Sequence, residues 1–273
     1  FTTIATGFSI GIQIIIARRF GEGNNGRIGV IFQHGSIFVL ILGLILFSIL
    51  YIFSDHLLLW LIDSPNIYEA SLEYIKYRQF GIIFVCFNFL YRALYVGISN
   101  TKVITYSTII MAVVNIFLDY CLIFGNFGFP EMGIGGAALA SFCAEVSAFT
   151  FFTVYSYITL RNKDYGMFKL HRLESELMGR ILKLATPTMI QKLFSFSVWF
   201  IFFILIEKMG ETATGISSIV RSVYMILITP CFAFATTTNT VVSRIIGEGH
   251  SDQVFSTINK ILKNCLLCTI PIM

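Results

Sequence analysis

Residues 103–125, VITYSTIIMAVVNIFLDYCLIFG, form an apolar run of the length at which an α-helix crosses the hydrocarbon core of a bilayer, about 20 residues. The whole chain shares this character, since 56% of its 273 residues are hydrophobic and 12% are charged. Soluble domains carry about 25% charged residues. The composition therefore argues against a cytosolic enzyme, a disordered chain and a nucleic-acid-binding domain, and it predicts an integral membrane protein.

Eight apolar segments are found along the chain. Backbone N–H and C=O groups in lipid must be satisfied within their own segment, so each segment is predicted to be a helix. A shorter apolar run at 57–62, between Asp55 and Asp63, is expected to lie in the membrane interface. The predicted helical segments are 1–17, 35–53, 80–99, 103–125, 133–160, 184–206, 212–243 and 261–273.

Lysine and arginine are unequally divided between alternate connecting segments. Twelve lie in one set of segments and three, Lys76, Arg78 and Lys208, lie in the other. Such an asymmetry marks the richer set as cytoplasmic, so we expect a multi-pass protein of the inner (plasma) membrane. The segments assigned to the cytoplasm are 18–34, 100–102, 161–183 and 244–260.

The longest cytoplasmic segment, 161–183, is predicted to be a linker between two lobes. The N-terminal lobe would then comprise residues 1–160, and the C-terminal lobe would begin at residue 184 and continue to residue 273. Apolar residues at helical spacing in the second half of the linker predict a short amphipathic helix there.

A short motif occurs twice, 226 residues apart: ARRFGEG at 17–23 and SRIIGEG at 243–249. Each copy ends an apolar helix with a basic residue and continues into a glycine-containing turn, because glycine accepts the positive φ that such turns need. Both copies lie on the predicted cytoplasmic side, so the repeat is parallel, an arrangement found in secondary transporters. A chance coincidence of two Gly-x-Gly turns is the alternative.

Four stretches, in this order and spacing, resemble the MATE (multidrug and toxic compound extrusion) family. They are ARRFGEGN at 17–24, FLYRAL at 89–94 followed by Asn100, NIFLDY at 115–120, and PEMGIGGAALAS at 130–141. The resemblance implies an all-α bundle of twelve helices in two lobes, of which this chain is an internal stretch from about the second to the ninth helix.

The same resemblance implies a secondary antiporter rather than an enzyme. Members of the family export cationic amphipathic compounds in exchange for H⁺ or Na⁺ by alternating access of the two lobes. We accordingly expect a monomer in a lipid bilayer, small amphipathic substrates, no nucleic-acid partner and no cofactor besides the coupling ion.

Asp119 is the strongest candidate for ion coupling. It lies within an apolar helix, where a charged side chain costs about 2.5 to 3.5 kcal/mol on insertion scales. Asn115 lies one turn earlier on the same face, so the two side chains are placed to share H⁺ or Na⁺. In MATE proteins the Asn and Asp of this helix line the cation site of the N-terminal lobe, and the resemblance implies that role here. A structural carboxylate, hydrogen-bonded between helices, is the alternative.

Polar and aromatic residues of other apolar segments are candidates to line a cavity. Packing, snorkelling of long side chains and helix–helix hydrogen bonds are the alternatives for all of them. Some MATE members carry an acidic residue in the helix after the linker, whereas residues 193–199, LFSFSVW, contain none. Asp119 is thus left as the main coupling candidate. The cavity candidates are Asn88, Arg92, Ser141, Glu145, Trp199 and Asn239.

Two other functions are alternatives to the antiporter. A flippase for lipid-linked saccharides, from the same superfamily, is expected to need a more basic cavity than Arg92, Lys192, Arg221 and Lys263 provide within the apolar segments. An integral-membrane enzyme is disfavoured, because the four histidines are scattered over separate loops without the spacing of metal ligands. The six cysteines lie in or beside apolar runs, which fits buried hydrophobic residues better than a disulfide framework.

Overall fold

The computed structural model of the chain describes residues 2–61, 65–160, 165–167, 169, 171–207 and 211–270. This described part is almost entirely helical and contains no strand, which confirms the prediction of an all-α membrane bundle. The helices are α1 (Thr2–Gly21), α2 (Gly26–Leu61), α3 (Pro65–Arg78), α4 (Gly81–Gly97), α5 (Lys102–Phe124), α6 (Gly133–Leu160), α7 (Ser175–Glu207), α8 (Glu211–Gly247) and α9 (Val254–Thr269).

Five of the described helices, α2, α5, α6, α7 and α8, are long and apolar enough to cross a membrane. A sixth span is obtained if α3 and α4 are taken together, with a bend of 57° between them. Helix α3 is not among the predicted segments, because polar residues interrupt its apolar positions.

Helices α2 and α7 extend furthest beyond their predicted limits, and α1, α8 and α9 do so by fewer residues. Residues 57–62 are predicted to lie in the membrane interface. Residues 57–61 are instead the end of the long helix α2. Ile62 lies outside the described residues. Helix α7 begins at Ser175, within the predicted linker, and contains Pro187 without interruption. The amphipathic turns of the linker and the following apolar span are therefore one helix. Residues 161–164, 168 and 170 of the linker lie outside the described residues, and the division into lobes stays a prediction.

Helix α1 lies at the centre of the bundle, in contact with α2, α4, α7 and α8. Gly7 and Gly11, one turn apart, let α7 approach closely. A Cβ atom built on Gly11 would lie 2.7 Å from the Cβ of Ala185, and one on Gly7 would lie 2.6 Å from the Cα of Met189. Small residues four apart are typical of tight helix contacts in membranes. Helix α1 thus joins the α2–α4 side of the bundle to the α7–α8 side.

The two copies of the repeated motif pack against each other at the ends of α1 and α8. The space that a Cβ on Gly21 would occupy is taken by the backbone carbonyl of Arg244. Reciprocally, the carbonyl of Arg18 takes the space beside Gly247. Both positions therefore need glycine because a carbonyl of the other copy approaches too closely for a side chain.

Each copy also repeats the same internal bonds. The N–H of Glu22 donates to the carbonyl of Arg18 over 3.0 Å, and the N–H of Glu248 donates to the carbonyl of Arg244 over 2.9 Å. The same residues form ion pairs of 3.1 Å and 2.8 Å. Because local structure repeats along with sequence, the parallel repeat is supported over a chance coincidence.

The described part of the linker is bound to α2. The N–H of Gly29 donates to the carbonyl of Tyr165 over 2.8 Å. The Gln33 amide exchanges two hydrogen bonds with the backbone of His171, of 3.0 Å and 2.9 Å. The buried ring of His34 accepts at Nε2 from the N–H of Glu174 over 2.9 Å. The chain is therefore held on the α2 side of the bundle up to the residue before α7.

Candidate functional site

Asp119 and Asn115 lie one turn apart on α5, half-buried, as the sequence predicts. The Asp119 Oδ1 and the Asn115 Nδ2 are both buried and have no hydrogen-bond partner among the described residues. Buried polar atoms in proteins are nearly always bonded. Two such atoms on adjacent turns of one apolar helix are therefore free to bond a further group, and binding of an ion there stays a prediction.

The donor set fits a small cation in part. Hard cations take oxygen ligands. Asp119 supplies a carboxylate, and Asn115 supplies an amide oxygen if its amide group is rotated by 180°. The hydrogen-bond network decides which of the two amide orientations is present. Within the described ranges, no group of three or more His, Cys, Asp or Glu side chains is arranged to hold a metal. A proton needs only the carboxylate.

Glu145 forms a bidentate ion pair with Arg78, at the end of α3. The two N–O distances are 2.8 Å and 2.5 Å, and the Glu145 and Arg78 side chains are 13% and 27% exposed. Gly81 provides the room, since a Cβ atom there would overlap both the guanidinium and the carboxylate. Glu145 therefore has a partner from another helix, as an acidic residue within the membrane requires.

Arg78 is not among the predicted site residues. The sequence contains one signal that could have found it: Lys76, Arg78 and Lys208 are the three basic residues on the predicted outer side. An intramembrane glutamate on that side needed one of them. Which of the three it binds depends on tertiary packing.

Asn88 and Arg92 lie on α4 beside α5 and α6. The Asn88 Nδ2 donates to the backbone carbonyl of Glu145 over 3.0 Å, and its Oδ1 is buried without a described partner. Both residues line a cavity of about 20 Å³, a volume suited to a single water molecule. Ser141 lies half-buried on α6, one turn before Glu145. A substrate-contacting role for these residues stays a prediction.

A larger cavity, of about 410 Å³, lies between the start of α1, α7 and α8. Trp199 lines it, with its ring centroid 6.1 Å from that of Phe203. Two cations share the lining. Lys192 Nζ is 5.4 Å from the centroid of Phe232, and Arg221 Cζ is 4.7 Å from that of Phe203. Trp199, a predicted cavity residue, is part of this lining, and its contact with a substrate stays a prediction. The sequence does not predict that the two cations meet there.

Asn239 is exposed on α8 and is not among the residues that line this cavity. The polar contact of this part of α8 is made by Thr240 instead. The Gln13 Nε2, on α1, donates to the Thr240 Oγ1 over 2.7 Å and lies 3.3 Å from the Thr236 carbonyl. Both side chains are buried, so this is a buried polar link between α1 and α8.

Comparison with known proteins gives the same assignment by sequence and by structure. The chain matches the family model named MatE over residues 1–121 and 187–273. It is 28% identical over 208 residues to the probable multidrug resistance protein NorM of Agrobacterium fabrum, covering 75% of this chain and 44% of that protein. It is 24% identical over 254 residues to the probable multidrug resistance protein YoeA of Bacillus subtilis, covering 91% and 54%.

Solved structures of similar fold include the two that follow. One is a multidrug resistance MATE transporter in an outward-facing conformation, with a TM-score of 0.83 and 21% identity over 99% of this chain and 58% of that one. The other is a MOP superfamily transporter from Pyrococcus furiosus, described as having a binding pocket of reverse polarity, with a TM-score of 0.84 and 22% identity over 97% and 59%. The chain spans about half the length of the curated relatives named above. With most of its residues matched by the family model and its helices arranged as in these structures, this multi-pass membrane chain belongs to the MATE family.

Proposed function

We propose that this chain is part of a secondary active transporter that exports cationic amphipathic compounds in exchange for H⁺ or Na⁺. The observation that carries the proposal is the pair of unpartnered buried atoms on α5, Asp119 Oδ1 and Asn115 Nδ2. The relatives named above are called multidrug resistance proteins. The inner membrane, with the Arg18 and Arg244 ends facing the cytoplasm, is the proposed location.

The transport cycle would couple occupancy of Asp119 to movement of the two sides of the bundle. Binding of H⁺ or Na⁺ neutralises the carboxylate and removes the reason for it to stay hydrated, which favours a rearrangement of the surrounding helices. Alternating access would then proceed at the close contacts of α1 with α7 and α8. One charge moved through 100 mV provides about 2.3 kcal/mol, which corresponds to a concentration ratio of roughly fifty-fold.

One carboxylate and one amide suffice to carry a proton, whereas Na⁺ would need further oxygen ligands beside Asp119 and Asn115. The family resemblance implies cationic substrates.

The test is export by the full-length protein in proteoliposomes, with ethidium as the probe and imposed H⁺ and Na⁺ gradients compared. Asp119→Asn is expected to abolish gradient-driven export and to leave the protein folded, because amide and carboxylate have nearly the same shape. Asp252→Asn, at an exposed position before α9, is the matched control and should export normally. Undiminished export by a folded Asp119→Asn variant would show that this carboxylate does not couple transport.

A flippase for lipid-linked saccharides is kept as a second candidate, because Lys192 and Arg221 line one cavity rather than lying apart. Such a protein would move a fluorescent isoprenoid pyrophosphate lipid between leaflets of a proteoliposome. An H⁺ or Na⁺ gradient would not drive export of ethidium by such a protein. The antiporter is expected to show the converse.

A further inference from the structure

We propose that a groove between α2, α4 and the described part of the linker binds an anionic phospholipid of the cytoplasmic leaflet. The groove has a volume of about 420 Å³, which falls within the range of small-molecule sites. It shares no described lining residue with the cavity between α1, α7 and α8. The proposal therefore adds a lipid site outside the proposed coupling and substrate sites, and only its choice of leaflet rests on the proposed orientation.

The groove changes from polar to apolar along α2. Gln33 and Ser36 line it near the start of the helix, and Ile37 and Leu40 line it further along. Gln33 and Leu40 are seven residues apart, which is about 10 Å along a helix. Phe87 adds an apolar wall from α4. A phospholipid has the same order of parts, a polar headgroup at the membrane surface and acyl chains below it, so it matches the groove in one direction.

The polar end of the groove receives a positive charge from the linker, because the exposed Lys169 is part of its lining. The linker backbone on both sides of Lys169 is bound to α2, through the hydrogen bonds of Tyr165 with Gly29 and of His171 with Gln33. Basic pockets at the cytoplasmic ends of membrane helices bind anionic lipid headgroups. A lipid phosphate at this end would pair with the Lys169 ammonium group while an acyl chain lies against α2.

The apolar end of the groove continues into an apolar face of α2. Leu40 is 41% exposed, and Ile41, Leu44 and Ile45 farther along the helix are exposed as well in the described structure. Helix α2 is long and apolar enough to cross a membrane, so this face is suited to contact with acyl chains. A lipid can therefore place one chain in the groove and keep the rest in the bilayer, whereas a free phosphate ion would use only the Lys169 end.

A lipid in this groove contacts both α2 and the linker. A ligand that binds only the assembled site stabilises the assembled state. We therefore expect the bound lipid to hold the linker against α2 and to slow its release.

The experiment measures binding of fluorescent phosphatidylglycerol to the purified full-length protein in detergent, with phosphatidylcholine of the same acyl chains as the comparison. We expect phosphatidylglycerol to bind about fivefold more tightly, the scale of one basic residue at an anionic membrane surface. Lys169→Gln should remove this preference, and Lys169→Arg should keep it. Lys260→Gln, at an exposed position on α9, removes the same charge elsewhere and should have no effect.

Two serine variants test the apolar part of the groove. Ser36 lines it, and Ser48 is exposed farther along α2. The hydroxyl of each donates to the carbonyl four residues earlier, so the two positions are closely matched. Ser36→Phe fills the groove and should weaken binding of both lipids, whereas Ser48→Phe should leave it unchanged.

Protease cleavage of the linker gives an independent measurement. Cleavage should be slower in phosphatidylglycerol nanodiscs than in phosphatidylcholine nanodiscs, and Lys169→Gln should make the two rates equal. The proposal is overturned if the two lipids bind equally well, or if folded Lys169→Gln protein keeps the preference. Displacement of the lipid by inorganic phosphate at constant ionic strength would also overturn it, because the site would then belong to a free anion.

Discussion

Removal of the Glu145 charge is expected to destabilise the bundle and to leave ion coupling intact. The pair with Arg78 is bidentate, with side chains 13% and 27% exposed. Breaking a fully buried pair by removing one partner costs about 3 to 5 kcal/mol, and an exposed pair contributes at most about 1 kcal/mol. For this partly buried pair we expect Glu145→Gln to lower the free energy of unfolding by about 2 to 3 kcal/mol.

The assay is reversible unfolding in mixed detergent micelles, followed by circular dichroism. Arg78→Gln alone should cost a similar amount. The double variant should cost clearly less than the sum of the two single variants, because it leaves no unpaired charge. Arg180→Gln, which breaks an exposed pair with Glu176 within α7, is the control and should leave stability unchanged.

Export measurements distinguish this role from a direct one in transport. Folded Glu145→Gln protein is expected to export ethidium under the same gradient as the unmodified protein. A variant of undiminished stability that no longer exports would refute the structural assignment and return Glu145 to the transport path.

Two further predictions concern contacts that hold the bundle together. Gly247→Ala places a methyl group against the Arg18 carbonyl and should separate the ends of α1 and α8. The measurement uses a protein without its native cysteines and with a single cysteine at Ala17, which is fully buried. That cysteine should react faster with a polar maleimide when Gly247→Ala is present. Gly179→Ala, with open space around it, should not change that rate, and an unchanged rate in Gly247→Ala would contradict the contact. His34→Leu removes the acceptor for the Glu174 N–H. Loss of this hydrogen bond costs about 1 kcal/mol and should speed protease cleavage of the linker roughly fivefold. His56→Leu, exposed on the same helix, should leave cleavage unaffected, and equal rates in both variants would show that the ring does not anchor the linker.

Local patterns predict the fold class and the placement of Asp119 and Asn115 one turn apart within an apolar helix. Apolar runs of membrane length predict the ends of α5 and α6 to within a residue or so. These helices follow from hydrogen bonds within each segment, which an apolar run in lipid requires. Asp119 and Asn115 are identified because a polar residue within an apolar run is visible in the local sequence. The long α2 and α7 exceed their predicted limits because polar residues at helix ends do not stop a helix.

The contacts between distant residues are not predicted. Glu145 and Arg78 are 67 residues apart, and Gln13 and Thr240 are 227 apart. Each partner alone is an ordinary polar residue, and only packing of α3 on α6 or of α1 on α8 brings it to the other. The same holds for Lys192 and Arg221, which lie on separate helices and share one cavity.

The reciprocal packing of the two glycine motifs has the form of a homodimer interface within one polypeptide. In an isologous contact a single patch serves both partners, so each substitution is felt twice. Once the two patches belong to one chain, they are free to change separately. Arg19 and Ile245 already differ at equivalent positions, while the glycines that admit the opposing carbonyls are the same. The two glycines thus keep the contact between the helix ends, while the surfaces around it are unequal.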